Sequence, residues 1–380
     1  MPELATVAKE TRAWACYDCG KCTATCPLSR AGRAYSPRRH VLATVLGQRQ
    51  EILADGALYS CLTCNLCNVR CPVQVDYTRL VQQLRELAFH EGGEPECPHG
   101  GAMQSVMRMM AKGGTRQDRL SWLKDDLRTQ PKAGKVFFWT GCTMYYDTFF
   151  GDLGVTTLAG TRAAIRLLNR LGIEPVVSAE ERCCGHDLLW NGDRGSFEAL
   201  AQHNVRLLAE SGAETLVTSC AECYRTWVVD YAPLLSGRRY RILHLSEFLA
   251  PVMPELKLRS AEERVVTYQD PCRLGRHLGV YDPPRRVLAS LPGVRLSEMR
   301  RSGETAMCCA GGTWSACDRF AKRIQVERLR EARATGAEFL VTACPKCQIH
   351  LRCAMKDPHL GTEIEIQMRD IAELVVDSLA

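Results

Sequence analysis

No apolar run in this chain approaches the ~20 residues that a helix needs to cross a bilayer. Its opening, Met-Pro-Glu-Leu-Ala-Thr-Val-Ala-Lys-Glu, has neither the basic n-region nor the apolar h-region of a secretory signal. No Gly-x-Gly-x-x-Gly follows a strand pattern, so no nucleotide or flavin of its own is expected. Aromatics make up 7% of residues, and no basic run carries them interleaved, which argues against nucleic acid as a partner. The net charge of +6 reads as solvated surface or as a docking face for an acidic redox partner. The one excess is cysteine, 21 in 380 residues. A disulfide scaffold does not fit, because such scaffolds are short secreted chains. The thiols are therefore expected in the cytoplasm, with any membrane association peripheral and through a partner. In a reducing compartment, clustered cysteines are metal ligands rather than bridges.

The length allows two or three domains. Residues 1–91 are dense in cysteine and otherwise helical, with apolar spacing that predicts helices from Pro37 to Leu53 and from Tyr77 to Phe89. Residues 92–134 form a Gly/Pro-punctuated linker around Met103, Met107, Met109 and Met110, a stripe suited to adaptable packing. From Lys135 the pattern turns α/β, with short apolar strands followed by amphipathic helices. This part is duplicated: residues 211–223 and 335–347 agree at 8 of 13 positions, and Lys135–Cys142 corresponds to Arg264–Cys272. The expected repeats are 135–258 and 259–380. The fold class is thus multi-domain, a helical ferredoxin-like domain followed by a duplicated α/β domain.

Cys16-x-x-Cys19-x-x-Cys22-x-x-x-Cys26-Pro is followed by Cys61-x-x-Cys64-x-x-Cys67-x-x-x-Cys71-Pro. Three thiolates at this spacing wrap the backbone around one [4Fe–4S] cubane, and the fourth, before proline, ligates the other cluster. The assignment is Cys16, Cys19, Cys22 and Cys71 to one cubane, and Cys61, Cys64, Cys67 and Cys26 to the second. Zinc fits poorly, since it prefers separate Cys-x-x-Cys knuckles and needs no third close thiol. With 34 residues between Cys26 and Cys61, a helical arrangement is favoured over a compact hairpin one. Two fully ligated cubanes make a wire, with no open position for substrate.

Each α/β repeat carries five further cysteines in the same order: Cys142, Cys183, Cys184, Cys220 and Cys223, then Cys272, Cys308, Cys309, Cys344 and Cys347. Chance buried cysteines would not repeat in this way. Five thiolates exceed the tetrahedral need of zinc, which survives as a weaker alternative. Adjacent cysteines point apart along an extended backbone, suiting different irons of one cluster, and thiolate softness indicates iron–sulfur. These motifs resemble the CCG domains of the B subunit of heterodisulfide reductase, and residues 1–91 resemble its C subunit. The order in one chain is similar to the fused D subunit. The resemblance extends to Thr140-Gly-Cys-Thr-Met-Tyr145, Arg182-Cys-Cys-Gly-His-Asp187, Thr218-Ser-Cys-Ala-Glu-Cys-Tyr224, Asp270-Pro-Cys-Arg-Leu-Gly-Arg-His277 and Gly279-Val-Tyr-Asp282.

That resemblance implies one non-cubane [4Fe–4S] cluster on each five-cysteine set, and hence two cubane and two non-cubane clusters in all. It implies an iron–sulfur subunit passing electrons within a hetero-oligomeric redox complex, next to a flavoprotein or a quinone-linked membrane subunit. Two alternatives accompany it: a catalytic subunit that cleaves a disulfide between the two non-cubane clusters, and the iron–sulfur subunit of a glycolate, lactate or glycerol-3-phosphate dehydrogenase. The complete cysteine sets favour the heterodisulfide reductase type. Two positions depart from the family. Ala310 follows Cys308-Cys309 where the family has Gly, so Gly311 or Gly312 is expected to give close backbone approach. Arg273 follows Asp-Pro-Cys272 where relatives have His, which weakens any proton delivery there. Cys97, Cys317 and Cys353 fall outside the motifs and read as structural thiols. His186, His277 and His350 are candidate proton sources beside the cysteines, and Arg273 and Arg276 candidate anion or potential-tuning groups.

Overall fold

Ser36 accepts the Arg39 N–H at 3.3 Å, and Pro37 takes the first helical position, which together open the helix Pro37–Val45. The sequence pattern predicts one helix to Leu53, but the chain breaks at Gly47 (φ +69°) and resumes as Arg49–Ala54. The Gly47 N–H bonds Thr44 O and the Gln48 N–H bonds Ala43 O, a Schellman ending that needs the left-handed glycine. Apolar periodicity alone carries no trace of this stop. Tyr77–His90 forms as expected, capped by Asp76 on the Arg79 N–H, with Leu80, Val81, Leu84, Leu87 and Ala88 buried. Within residues 92–134, Ala102–Lys112 is a helix that buries Met103, Met107 and Met110 and leaves Met109 exposed.

The computed structural model describes residues 3–96, 99–114, 117–235, 237, 239–259, 262–360 and 362–380. Contacts divide it into two units, residues 1–112 with 185–199 and 307–325, and residues 113–184 with 200–306 and 326–380. The first unit is helical. The second holds the strands β1 (Val136–Trp139), β2 (Thr215–Thr218), β3 (Arg241–His244), β4 (Arg264–Gln269), β5 (Val294–Leu296), β6 (Phe339–Thr342) and β7 (Gln367–Asp370).

Every strand pairing is parallel, in the orders β1-β2-β3 and β5-β4-β6-β7. The duplication is visible strand by strand: β1, β2 and β3 correspond to β4, β6 and β7. Where the second sheet has β5, the first has, among the described residues, parallel bridges from Val176 to Phe137 and to Gln130. The equivalence reaches the caps. His244 at the end of β3 and Asp370 at the end of β7 each open a helix, Leu245–Val252 and Ile371–Asp377, with Glu247 and Glu373 completing capping boxes. Both sheets contribute to a single core, in which Phe138, Val217, Val266 and Val341 pack with Leu167, Leu249, Leu288 and Val375. Helices Thr157–Arg170 and Ile371–Asp377 meet at Gly160, where a Cβ would stand 2.9 Å from Asp370 Cβ. Among the described residues, no helix is long and apolar enough to cross a membrane.

Candidate metal centres

In the first unit the two Cys-x-x-Cys-x-x-Cys stretches share one backbone trace. The residue before the second cysteine and the residue after it are left-handed: Asp18 (φ 61°) and Gly20 (75°), then Thr63 (48°) and Asn65 (65°). Such residues curl the chain so that three thiols converge. Cys16, Cys19, Cys22 and Cys71 line one cavity together with Cys67. There the Val75 N–H donates to Cys71 Sγ at 3.2 Å. Around the other set, the Thr63 N–H donates to Cys61 Sγ at 3.3 Å. Burial pushes the Cys26 thiol up to about 12, and nearby Cys61 and Cys64 push it further in the same direction. Burial likewise raises Cys67, with Cys61, Cys64 and Cys26 adding to it. The fourth cysteine of each motif thus lies with the first three of the other. Buried thiols that resist ionisation need a cation to become thiolates, and four soft donors with amides aimed at sulfur fit a [4Fe–4S] group.

Arg85 is the buried cation of this unit. It donates to Cys61 O at 2.9 Å, Leu58 O at 3.1 Å and Trp190 O at 3.0 Å, and lies over the Tyr59 ring. Close approach is enforced at Gly192, where a Cβ would stand 2.4 Å from Arg85 O.

In the second unit, Cys142, Cys183, Cys184, Cys220 and Cys223 are all buried. They come from the ends of β1 and β2 and from the Cys183-Cys184 loop. Cys223 Sγ lies 3.5 Å from Cys184 Sγ. A Cβ at Gly141 (φ +67°) would stand 3.0 Å from Cys223 Sγ, so a side chain there would be both crowded and strained. Thiol hydrogen bonds hold Cys184 and Cys220 below the ordinary thiol range and leave Cys223 above it. The Tyr231 hydroxyl donates to Cys184 O at 2.9 Å, and Asn204 Nδ2 to Cys183 O at 3.0 Å. Glu181, fully buried, accepts from the Gly141 N–H at 2.6 Å and the Thr140 N–H at 3.1 Å, while Arg119 donates to Gly141 O at 2.6 Å. This pair braces the loop that presents Cys142.

Of the second five-cysteine set, Cys272, Cys344 and Cys347 belong to the second unit and Cys308 and Cys309 to the first. The Cys-x-x-Cys loops of the two repeats abut: Lys346 Nζ lies 2.8 Å from Glu222 Oε2, and the Cys344 side chain acts to lower the Cys220 thiol. Ala310 itself adopts φ +56°, matching Gly185 (φ +74°) of the first repeat. Gly312 is also left-handed (φ +51°), so Ala310 takes the conformation that a glycine holds in the first repeat while Gly312 lies beside it.

Arg273 is buried and donates to His277 Nε2 at 2.8 Å, which makes that nitrogen an acceptor rather than a proton source. Arg276 donates to Ala306 O at 2.5 Å, bracing the strand-to-loop segment just before Cys308. His186 pairs through Nδ1 with Asp187 at 3.0 Å, and His350 is buried one turn after Cys347. Cys317 and Cys353 are partly exposed, and Cys97 lies outside the described residues. Sequence reasoning missed Arg85, Arg119 and Glu181. Arg85 and Arg119 stand far along the chain from the cysteines they serve, and Glu181 from the Cys142 loop it braces, so spacing gives no signal for them.

Residues 12–75 match the 4Fe-4S dicluster domain family, and residues 136–226 and 266–352 match the cysteine-rich domain family. The chain is 30% identical to the D subunit of dihydromethanophenazine:CoB–CoM heterodisulfide reductase from Methanosarcina barkeri, over 96% of this chain and 93% of that protein. It is 29% identical to the B subunit of fumarate reductase (CoM/CoB) from Methanothermobacter marburgensis, over 95% of this chain and 71% of that one. A crystal structure of a hypothetical protein from Helicobacter pylori aligns with a TM-score of 0.59 at 10% identity, covering 90% of this chain and 67% of that one, a likeness of fold alone. A dicluster ferredoxin-like segment followed by a duplicated cysteine-rich domain, matched nearly end to end, makes this chain a member of the heterodisulfide reductase D-subunit family of iron–sulfur proteins.

Proposed function

We propose that this chain is an electron-carrying iron–sulfur subunit of a larger redox complex, holding two cubane and two non-cubane [4Fe–4S] clusters. Cys16, Cys19, Cys22 and Cys71 hold one cubane; Cys61, Cys64, Cys67 and Cys26 hold the other. Cys142, Cys183, Cys184, Cys220 and Cys223 hold one non-cubane cluster; Cys272, Cys308, Cys309, Cys344 and Cys347 hold the second. When bound, such clusters supply one-electron transfer. The observation that carries the reading is the meeting of the two Cys-x-x-Cys loops, where Lys346 pairs with Glu222 at 2.8 Å. Ligand loops that meet in this way serve electron passage from one repeat to the other.

The chain's own residues do the rest. Glu181, Arg119 and Tyr231 fix the first ligand loops, Arg85 sets positive charge beside Cys61, and Arg273 ties up His277. Disulfide cleavage would need protons as well as electrons at the second set, and His277 accepts there instead of donating. A flavoprotein or a quinone-linked membrane subunit supplies the electron source, with residues 1–91 as the contacting domain. The second reading, direct cleavage of a substrate disulfide between the two non-cubane clusters, draws on the heterodisulfide reductase relatives.

Anaerobic iron analysis should give about sixteen irons per chain, four for each cubane or non-cubane group. About eight irons, with the paired-cysteine regions empty or zinc-loaded, would remove the non-cubane assignment. Titrating the reduced protein with heterodisulfides should leave its paramagnetic spectrum unchanged. A stoichiometric spectral change would replace the relay by the reductase reading.

A further inference from the structure

The two cubane ligand sets differ in how they meet solvent. Cys26, Cys61, Cys64 and Cys67 are buried, whereas Cys16, Cys22 and Cys71 are partly exposed and Cys19 is exposed. Two aromatic side chains stand beside the more open set. Trp14 and Tyr17, each 59% exposed, flank Cys16 in the chain, and Tyr17 lines the same cavity as Cys16, Cys19, Cys22 and Cys71. Large rings are seldom left this open, and a pair of them at a ligand set marks an interaction surface.

The backbone under these rings is pinned. Ala13 is fully buried, the Ala15 N–H donates to Arg12 O at 3.0 Å, and the Cys16 N–H donates to Ala13 O at 3.0 Å. The Asp76 N–H donates to Thr11 O at 2.9 Å, and Arg12 Nη1 donates to Gln74 Oε1 at 3.1 Å, which ties this turn to the segment after Cys71. Rings held on a fixed turn lose little freedom when a partner covers them.

The charge around the set is almost all of one sign. Lys21 and Arg38 line the cavity, Arg12 reaches Gln74, and Arg70 precedes Cys71; all four are exposed. From Arg12 to Arg39 and from Cys61 to Val75 the only acidic residue is Asp18. Asp18 is itself paired, with Arg38 at 3.2 Å. Such a surface draws an acidic protein and repels a basic one, and Trp, Tyr and Arg are the side chains that dominate binding surfaces.

We propose that this basic face, with Trp14 and Tyr17 as its apolar anchors, docks the acidic surface of a one-electron donor protein, so that electrons enter the chain at the cubane of Cys16, Cys19, Cys22 and Cys71. One electron leaves the donor and one enters the chain, with no bond made or broken. The inference rests on the electron-carrying role and the ligand assignment proposed above, and adds to them the point of entry and the chemistry of the partner.

The test uses reduced flavodoxin, a small acidic flavoprotein, as donor to the full, anaerobic, iron-loaded chain. Electron transfer followed by stopped flow should slow about tenfold between about 50 mM and about 500 mM salt, as screening removes the attraction. Trp14→Ala and Lys21→Glu should each slow it by about tenfold at low salt, and should weaken the binding of oxidised flavodoxin, read by calorimetry, by a similar factor. Trp14→Phe should recover most of that binding. Reduction by a viologen radical, a small dye that needs no docking surface, should not slow in the iron-replete variants. Salt-independent transfer, or wild-type flavodoxin binding in both iron-replete variants, overturns the proposal. An equal slowing with the dye overturns it too, by placing the effect at the cluster instead of the surface. Missing iron at Cys16, Cys19, Cys22 and Cys71 in the wild-type chain instead overturns the ligand assignment, and the proposal with it.

Discussion

Lys346 Nζ lies 2.8 Å from Glu222 Oε2, and each residue is the third of a Cys-x-x-Cys loop, Cys220-Ala-Glu-Cys223 in one repeat and Cys344-Pro-Lys-Cys347 in the other. The duplication has put opposite charges at equivalent positions and paired them across the repeats. The side chains are 3% and 11% exposed, so the pairing compensates two largely desolvated charges.

Lys346→Met should therefore destabilise the chain by about 3 kcal/mol, because it leaves Glu222 a buried charge without its ammonium. The paired reversal Glu222→Lys with Lys346→Glu should recover most of that. Denaturant unfolding of the anaerobic, iron-loaded proteins measures both. A loss below about 1 kcal/mol in the single variant would show the pair to be energetically idle.

Ala310 carries a different kind of cost. It is fully buried and left-handed (φ +56°), at a position where a Cβ crowds the following carbonyl. Ala310→Gly should stabilise the chain by about 0.5–1 kcal/mol, the strain relieved exceeding the methyl lost. The same measurement decides it. A destabilised glycine variant would mean that packing of the Ala310 methyl outweighs backbone strain.

What was legible in the sequence was whatever repeats or recurs at fixed spacing. The duplication could be aligned from residues 211–223 and 335–347, and it reappears as β2 followed by Cys220-x-x-Cys223 and β6 followed by Cys344-x-x-Cys347. The helix Tyr77–His90 followed from its apolar stripe. The helix break at Gly47 did not, since a lone glycine inside an apolar pattern is as compatible with continuation as with a stop. Strand β5 and the Val176 bridge are too short for any periodicity. The bracing charges were invisible for a different reason. Arg119 and Glu181 meet across 62 positions, and nothing local marks either as other than a surface charge.

Asp370 makes stability depend on pH. Burial pushes its carboxyl up to about 8, from 3.8, while the side chain caps Ile371–Asp377 by accepting the Ala372 N–H at 2.9 Å. The unfolded carboxyl loses its proton near pH 4. Its contribution is therefore fully present below that pH and is lost as pH rises through about 8. Asp370→Asn keeps a neutral cap and cannot titrate. The variant should gain on the wild type from pH 6 to pH 9, reaching on the order of 1–3 kcal/mol. Parallel unfolding curves at each pH read the gap, and a constant gap would place the Asp370 titration elsewhere.

Cys71→Ser tests the crossed ligation directly. Cys71 belongs in sequence to the second motif, yet it lines the cavity of Cys16, Cys19 and Cys22, while Cys26 of the first motif sits with Cys61 and Cys64. A serine oxygen is a harder ligand and a poorer partner for iron than thiolate. The substitution should therefore damage the cubane whose other ligands are Cys16, Cys19 and Cys22, with a loss of up to about four irons. The cubane on Cys26, Cys61, Cys64 and Cys67 keeps all four thiolates and should keep its signal. If Cys71→Ser instead abolishes the signal that Cys64→Ser also removes and spares the other, each motif ligates its own cluster and the left-handed turns at Asp18, Gly20, Thr63 and Asn65 wrap four thiols rather than three.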